Sequence, residues 1–249
     1  MQLFTDLDST IITTQGNEEN IVPVSHTQRG TSYIKETNLK KFQELSKELQ
    51  IIPVTTRGIV SYNTIDLGVP FSHALLDSGA ILLINGEVDK TWLKESENIF
   101  KSERELFQVG KNYLESQGFR SKTDSPFVID YRLEVINEEK QAIAFEELNA
   151  LIGEKFDVFK AGNRGIFATH KELNKGKNLI RFQKKYGKDS MITAGDSEAD
   201  WPMLKISDKS IGLTDSPATY QFNKDTFKEN NYLFLDFVLD SIEKIKEGN

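Results

Sequence analysis

The sequence predicts an α/β protein, a parallel-sheet core with an α+β domain inserted into it. Short apolar runs end abruptly in polar residues, at Leu3-Phe4 before Thr5-Asp6, at Ile51 to Val54 before Thr55-Thr56-Arg57, and at Ser190 to Thr193 before Ala194-Gly195-Asp196. A helical pattern lies between the early runs, and strand, helix, strand in that order implies a right-handed crossover and parallel pairing. Residues 83–168 break the rhythm with polar helices and paired strand patterns, which leaves 1–82 and 169–249 as the core.

Each element has its own signal. Ile21 to Ile34 reads as a hairpin turning at Gln28-Arg29-Gly30. Leu39, Phe42, Leu45 and Leu49 recur at helical spacing, with Thr37 or Asn38 as the cap. Ala74-Leu75-Leu76 is a second buried strand, ending at Asp77-Ser78-Gly79. The inserted stretch begins with a helical run from Trp92 to Gln117 and a strand from Phe127 to Val135. A helix near Gln141 to Ile152 follows, then a strand pair from Phe156 to Thr169 that turns at Gly162-Asn163. A helix from Gly176 stops at Gly187, Ser210 to Leu213 is a short strand, and Leu235, Val238, Ile242 and Ile245 mark one face of a last helix.

Composition narrows the function. The formal net charge of -7 disfavours a nucleic-acid partner, which recruits basic surfaces, but leaves room for a small anionic substrate. The absence of cysteine excludes disulfides, thiolate metal sites and cysteine nucleophiles. No stretch approaches the ~18 apolar residues of a membrane helix. Met1-Gln2-Leu3-Phe4 lacks the pattern of a signal peptide, so a cytoplasmic protein is expected.

In parallel sheets ligands sit at the carboxyl ends of the strands, so the polar residues there are the candidates. Asp6 and Asp8 are two apart at such an end, where two carboxylates are costly unless a cation or a proton offsets them. The alternative is a turn in which both cap backbone N–H groups. Asp196 and Asp200 are four apart, one helical turn, and clustered hard oxygens suit Mg²⁺; acidic residues at a helix N-terminus are the competing explanation. Thr55, with Thr56 and Arg57, can hold a phosphoryl oxygen or simply cap a helix. Lys175 sits at a helix start, where a cation is tolerable beside an anion or as a solvated surface residue. Arg164, next to Asn163, is either an exposed turn residue or a grip for a second anionic group. His26 and His73, with no pattern around them, are read as structural or surface positions.

The order and strand-end placement of these segments resemble the four motifs of the haloacid dehalogenase superfamily. Asp6-Leu7-Asp8-Ser9-Thr10 looks like the first, Thr55 the second, Lys175 the third, and Gly195-Asp196 with Asp200 the fourth. Ser9 departs modestly, since many members carry Gly there. The insertion between the second and third motifs, led in by Asp77-Ser78-Gly79-Ala80, resembles members with a type-two cap, among them sugar phosphatases. Pro53 to Arg57 and the early hairpin resemble a bacterial subgroup encoded near tellurium-resistance genes.

The resemblance implies a Rossmann-like core, a cap, and a Mg²⁺-dependent phosphatase. Asp6 would be the nucleophile that forms an aspartyl-phosphate, and Asp8 the general acid and base. Mg²⁺ would be held by Asp6, the Asp8 backbone carbonyl and Asp196, with Asp200 nearby. Thr55, Thr56, Arg57 and Lys175 would bind the phosphate. The expected substrate is a small phosphate ester, with a phosphosugar foremost, and no nucleic-acid or membrane partner. A phosphotransferase or mutase with the same intermediate, and a non-catalytic binding or stress-response module, are the competing functions.

Overall fold

The computed structural model describes residues 1–27, 30–123, 125–187 and 189–248. Strand β1 (Gln2–Thr5), buried at all four positions, leads through a long connection, residues 6–20, to an antiparallel hairpin, β2 (Ile21–Thr27) and β3 (Gly30–Lys35). Two residues of the expected turn, Gln28 and Arg29, lie outside the described residues. The hairpin runs directly into α1 (Glu36–Glu48), so the helix starts ahead of the expected caps and has no side-chain cap. Asn38 instead donates to Asp236 at 2.7 Å.

Next come β4 (Gln50–Pro53), the single turn α2 (Ile59–Tyr62), β5 (His73–Leu76), β6 (Ile81–Ile84), β7 (Glu87–Val88) and α3 (Lys90–Phe100). A 3-10 turn at Lys101–Glu103 splits the expected long helix into α3 and α4 (Arg104–Ser116). The next elements are β8 (Arg120–Ser121), β9 (Val128–Arg132), α5 (Glu138–Ile152), β10 (Phe156–Ala161) and β11 (Gly165–His170). The chain closes with α6 (Lys175–Tyr186), β12 (Met191–Ala194), α7 (Trp201–Leu204), β13 (Lys209–Leu213), β14 (Tyr220–Phe222), α8 (Lys224–Glu229) and α9 (Tyr232–Lys246). The sequence pattern missed α2, β6, β7, β8, β14 and α8, which are too short to show a period.

The central sheet has the order β14-β13-β12-β1-β4, all parallel. Its two faces follow from alternation along each strand. Leu3, Ile51, Ile192 and Ile211 pack with Phe42 and Leu45 of α1 and with Phe234, Val238 and Ile242 of α9. Phe4, Ile52 and Met191 face the other way, onto Leu179 and Phe182 of α6, Trp92 of α3 and Met203 of α7. β5 joins beside β4 through one parallel bridge, Val54 to Leu75, and pairs antiparallel with β6. The chain passes from β1 to β4 on one side and later to β12 on the other. The strand order therefore reverses at β1, the place where such sheets bind ligands.

A second, antiparallel sheet has the order β10-β11-β9-β8. Phe107 and Leu114 of α4 and Leu148 and Ile152 of α5 cover it. It connects to the rest at two neighbouring crossings, after Phe100 and after His170. The Phe100 and His170 rings meet edge to face at 5.9 Å, and both contact Phe156. On the far side of the first crossing, α3 is fastened to α6: the Arg181 guanidinium lies 3.6 Å over the Trp92 ring. Among the described residues, no helix is long and apolar enough to cross a membrane.

Candidate active site

Asp6 is the first residue past β1, and its N–H donates to the Ala194 carbonyl at 2.9 Å. Parallel pairing of β1 with β12 thus fixes Asp6 beside the segment that begins at Gly195. That glycine is required: a Cβ there would lie 2.4 Å from the Asp200 Cβ. Its absence lets Asp200 fold back beneath the strand end. Asp6, Asp196 and Asp200 then offer carboxylate oxygens that all lie within 4.8 Å of one another.

Lys175, 1% exposed at the start of α6, sits among them. Its ammonium donates to Asp6 at 2.6 Å and to Asp200 at 2.5 Å. The N-cap preceding it is Asn174, whose side chain accepts from the Lys177 N–H. The helix start therefore places a cation against anions, not in solvent. The other oxygen of Asp200 accepts from the Ser197 N–H and hydroxyl at 2.9 and 2.7 Å. Thr10 donates to Asp196 at 3.1 Å, tying the loop after β1 to the segment after β12.

The electrostatics follow from crowding. Burial pushes the Asp6 carboxyl up to about 7; Lys175 opposes this, and Asp200 and Asp8 add to it. Burial, with Asp200 and Asp6 as neighbours, also holds Asp196 well above the ordinary carboxylate range. Lys175 is raised: the attraction of Asp200 and Asp6 outweighs its burial. One ammonium thus contacts two of the three clustered carboxylates.

Asp8 points elsewhere. Its oxygens accept from Arg57 Nη2 at 2.6 Å and Nε at 2.7 Å, a bidentate pair. Arg57 Nη1 donates to Ser25 Oγ at 3.0 Å and to the Ser61 carbonyl at 3.2 Å, and Nη2 also donates to Ser32 Oγ at 3.1 Å. A guanidinium has five N–H donors, and all five are engaged here. The sequence grouped Arg57 with the phosphate-binding residues; in this arrangement it has no N–H left for a phosphoryl oxygen. Thr55, fully buried, accepts the Arg57 N–H through its hydroxyl at 3.1 Å, while Thr56 is half-buried.

The structure thus gathers Asp6, Lys175, Asp196 and Asp200 into one contact group, with Asp8 and Arg57 paired beside it. The Asp8 side chain is not one of the clustered carboxylates. Arg164 is exposed and donates to the Glu134 carbonyl at 3.0 Å. His26 is exposed, and His73 packs edge to face on Phe182 at 5.3 Å.

Sequence reasoning missed Ser25, Ser32 and Asn178. Asn178, one turn after Lys175, donates to the carbonyls of Ser78 and Leu173 at 3.1 and 2.8 Å. It pins a turn in which Asp77, Ser78 and Gly79 all have positive φ. A Cβ on Gly79 would meet the Asn178 Cβ at 2.5 Å, so the glycine allows the contact that seats α6.

Ser9 occupies a left-handed conformation at φ 64°, with its N–H bonded to the Ile12 carbonyl at 2.6 Å. The strain of that conformation disappears with glycine. Ser9→Gly is expected to raise the unfolding free energy by up to about 1 kcal/mol in urea denaturation. A loss of stability would show that the serine side chain has a role of its own.

Comparison with known proteins identifies the family. Residues 21–231 match the family of haloacid dehalogenase-like hydrolases. Phosphoglycolate phosphatase 2 of Saccharolobus solfataricus is 22% identical over 220 residues, 84% of this chain and 83% of that protein. The sucrose-phosphatase of Synechocystis sp. PCC6803, solved with sucrose and phosphate, superimposes with a TM-score of 0.61 at 13% identity, covering 92% of this chain and 86% of that one. A solved sugar phosphatase of subclass IIB in the same superfamily gives a TM-score of 0.57 at 13% identity, over 96% of this chain and 99% of that one. The fold is that of these hydrolases, and this chain carries a carboxylate cluster at the strand ends. The chain belongs to the haloacid dehalogenase-like hydrolases.

Proposed function

We propose that this hydrolase is a Mg²⁺-dependent phosphatase of a small phosphate ester, with phosphosugars as the substrate class. The observation that carries the reading is the placement of Asp6 at the end of β1, in contact with Lys175 and within 4.8 Å of Asp196 and Asp200. The names of the relatives, phosphatases of phosphoglycolate, sucrose phosphate and sugars, support the substrate class.

The residues fit the cation. Their donors are all hard oxygens, and two of the carboxyls are raised by burial and by their neighbours' charge, which a divalent cation would offset. Asp6, Asp196 and the Asp8 backbone would hold it, with Asp200 behind them. When bound, it supplies positive charge between the Asp6 carboxylate and the phosphate, which otherwise repel.

An Asp6 oxygen attacks phosphorus, and the bond from phosphorus to the ester oxygen breaks. Asp8 delivers a proton to that leaving oxygen. Asp8 then takes a proton from a water molecule, which attacks the aspartyl-phosphate and releases inorganic phosphate, freeing Asp6. Lys175 and Thr55 would hold the remaining phosphoryl oxygens, where charge and positioning carry most of the catalysis. The stretch between Phe100 and His170, the greater part of the expected 83–168 insertion, would act as a cap that excludes water from the ester, with α3 left on the core.

The test is phosphate release from a panel of sugar phosphates, phosphoglycolate and p-nitrophenyl phosphate, with Mg²⁺ and with chelator. Metal-dependent release is expected. Transfer of phosphate between sugar hydroxyls with little net release would favour a mutase, and no release from any ester would remove the phosphatase reading.

A further inference from the structure

We infer that Arg57 is a positioning residue for Asp8, and that the β2–β3 hairpin holds it in place through Ser25 and Ser32. The inference rests on Asp8 as the proton-transfer residue of the proposed reaction. Asp8 follows β1 in a loop whose Leu7 and Thr10 are buried, but its own side chain is 40% exposed against 9% for Arg57. A carboxylate so exposed would sample several rotamers, whereas proton transfer needs hydrogen-bond reach of one oxygen. The bidentate pair removes that freedom, because two parallel N–H bonds fix the plane as well as the place of the carboxylate. It uses one lone pair on each oxygen and leaves the others open to a reacting group.

Arg57 can do this only if it is itself fixed. Ser25 and Ser32 stand directly opposite each other in the hairpin, beyond an irregularity between Pro23 and Ser25 that shifts the register. The shift places Val24 and Ser25, neighbours in sequence, both in buried positions. The two serine hydroxyls, 1% and 4% exposed as residues, take one N–H from each terminal nitrogen. The Ser61 carbonyl takes the fifth donor. Ser25 is held in turn by the Thr64 hydroxyl at 2.7 Å. A hairpin with no carboxylate of its own in the site therefore sets where Asp8 stands.

The experiment compares Ser25→Ala/Ser32→Ala, Arg57→Lys and Asp8→Asn with the wild type on two esters. One is p-nitrophenyl phosphate, whose leaving group departs with little need of a proton. The other is the alkyl ester that the wild type hydrolyses fastest. On the alkyl ester the double serine variant should lose about tenfold in kcat/KM and Arg57→Lys about a hundredfold, both less than Asp8→Asn, since a positioned acid contributes 10²–10⁴-fold. On the aryl ester kcat/KM, which reports only the transfer to Asp6, should stay within about threefold of wild type in these two variants, while kcat falls on either ester where the Asp8-assisted attack of water limits turnover.

Wild-type rates in both variants beside an impaired Asp8→Asn would overturn the inference and leave the proposed function standing. So would an equal loss of kcat/KM on both esters, which would return Arg57 to phosphate binding or to general support of the fold. Inactivity of the wild type on every ester, or an Asp8→Asn variant that matches it, would overturn the proposed function and the inference with it.

Discussion

Asp6→Asn is expected to lose phosphate release by on the order of 10⁴-fold or more, as removal of a nucleophile does, without losing stability at pH 7. The activity argument is chemical: an amide oxygen is too poor a nucleophile to form the acyl phosphate. The stability argument is electrostatic. Burial raises the Asp6 carboxyl from 3.8 to about 7 despite Lys175, so the folded state binds this proton more tightly than the unfolded chain. Such a group contributes stability that is complete below its unfolded value and lost as pH rises through its folded one. Between about pH 4 and 7, then, metal-free wild type gives up stability at Asp6 that a neutral asparagine keeps. Melting curves in chelator across that range test it. A variant that melts well below wild type at pH 7 would mean that the Lys175 pairing outweighs the burial.

Lys175→Met has the opposite character. The ammonium is buried between Asp6 and Asp200, at 2.6 and 2.5 Å. Removing one partner of a buried ion pair costs about 3–5 kcal/mol, because the other charge is left uncompensated. Here two carboxylates, Asp6 and Asp200, lose their partner, with Asp196 beside them. The loss should be greatest near neutral pH and shrink on acidification, as Asp6 and Asp196, already raised, take up protons. Added Mg²⁺ should return part of it, since a ligand of the folded state stabilises that state. The variant should therefore gain more in melting temperature from Mg²⁺ than the wild type does. A Lys175→Met protein that melts like wild type would show that the ammonium does not hold the carboxylates together.

The strand ends were legible in the sequence because a buried strand forces its first polar residue to the sheet edge. Asp6 and Asp196 follow apolar runs on strands that turn out to be adjacent, and Lys175 announces itself as a cation at the wrong end of a helix. The serines that hold Arg57 were not legible. Ser25 and Ser32 sit in strand patterns where a polar residue ordinarily faces water, and only the register shift after Pro23 turns Ser25 inward. Asn178 carried no signal because it lies on a helix face whose neighbour, the turn at Asp77 to Gly79, is a hundred residues away in the chain. Helix α1 was misread at its start because β3 feeds it without a turn. The break between α3 and α4 was missed because the helical pattern runs across a turn set by which sheet each helix packs on.

The edge-to-face contact between Phe100 and His170 joins the two crossings between the sheets into one narrow neck. A panel hung on two pins side by side swings about the line through them and resists twisting, because twisting would pull the pins apart. The β8–β11 sheet should thus have one soft degree of freedom relative to the central sheet, a swing, with the shared contacts to Phe156 acting as the bearing. The chain has no cysteine, so a pair introduced for distance labels would report that swing without background.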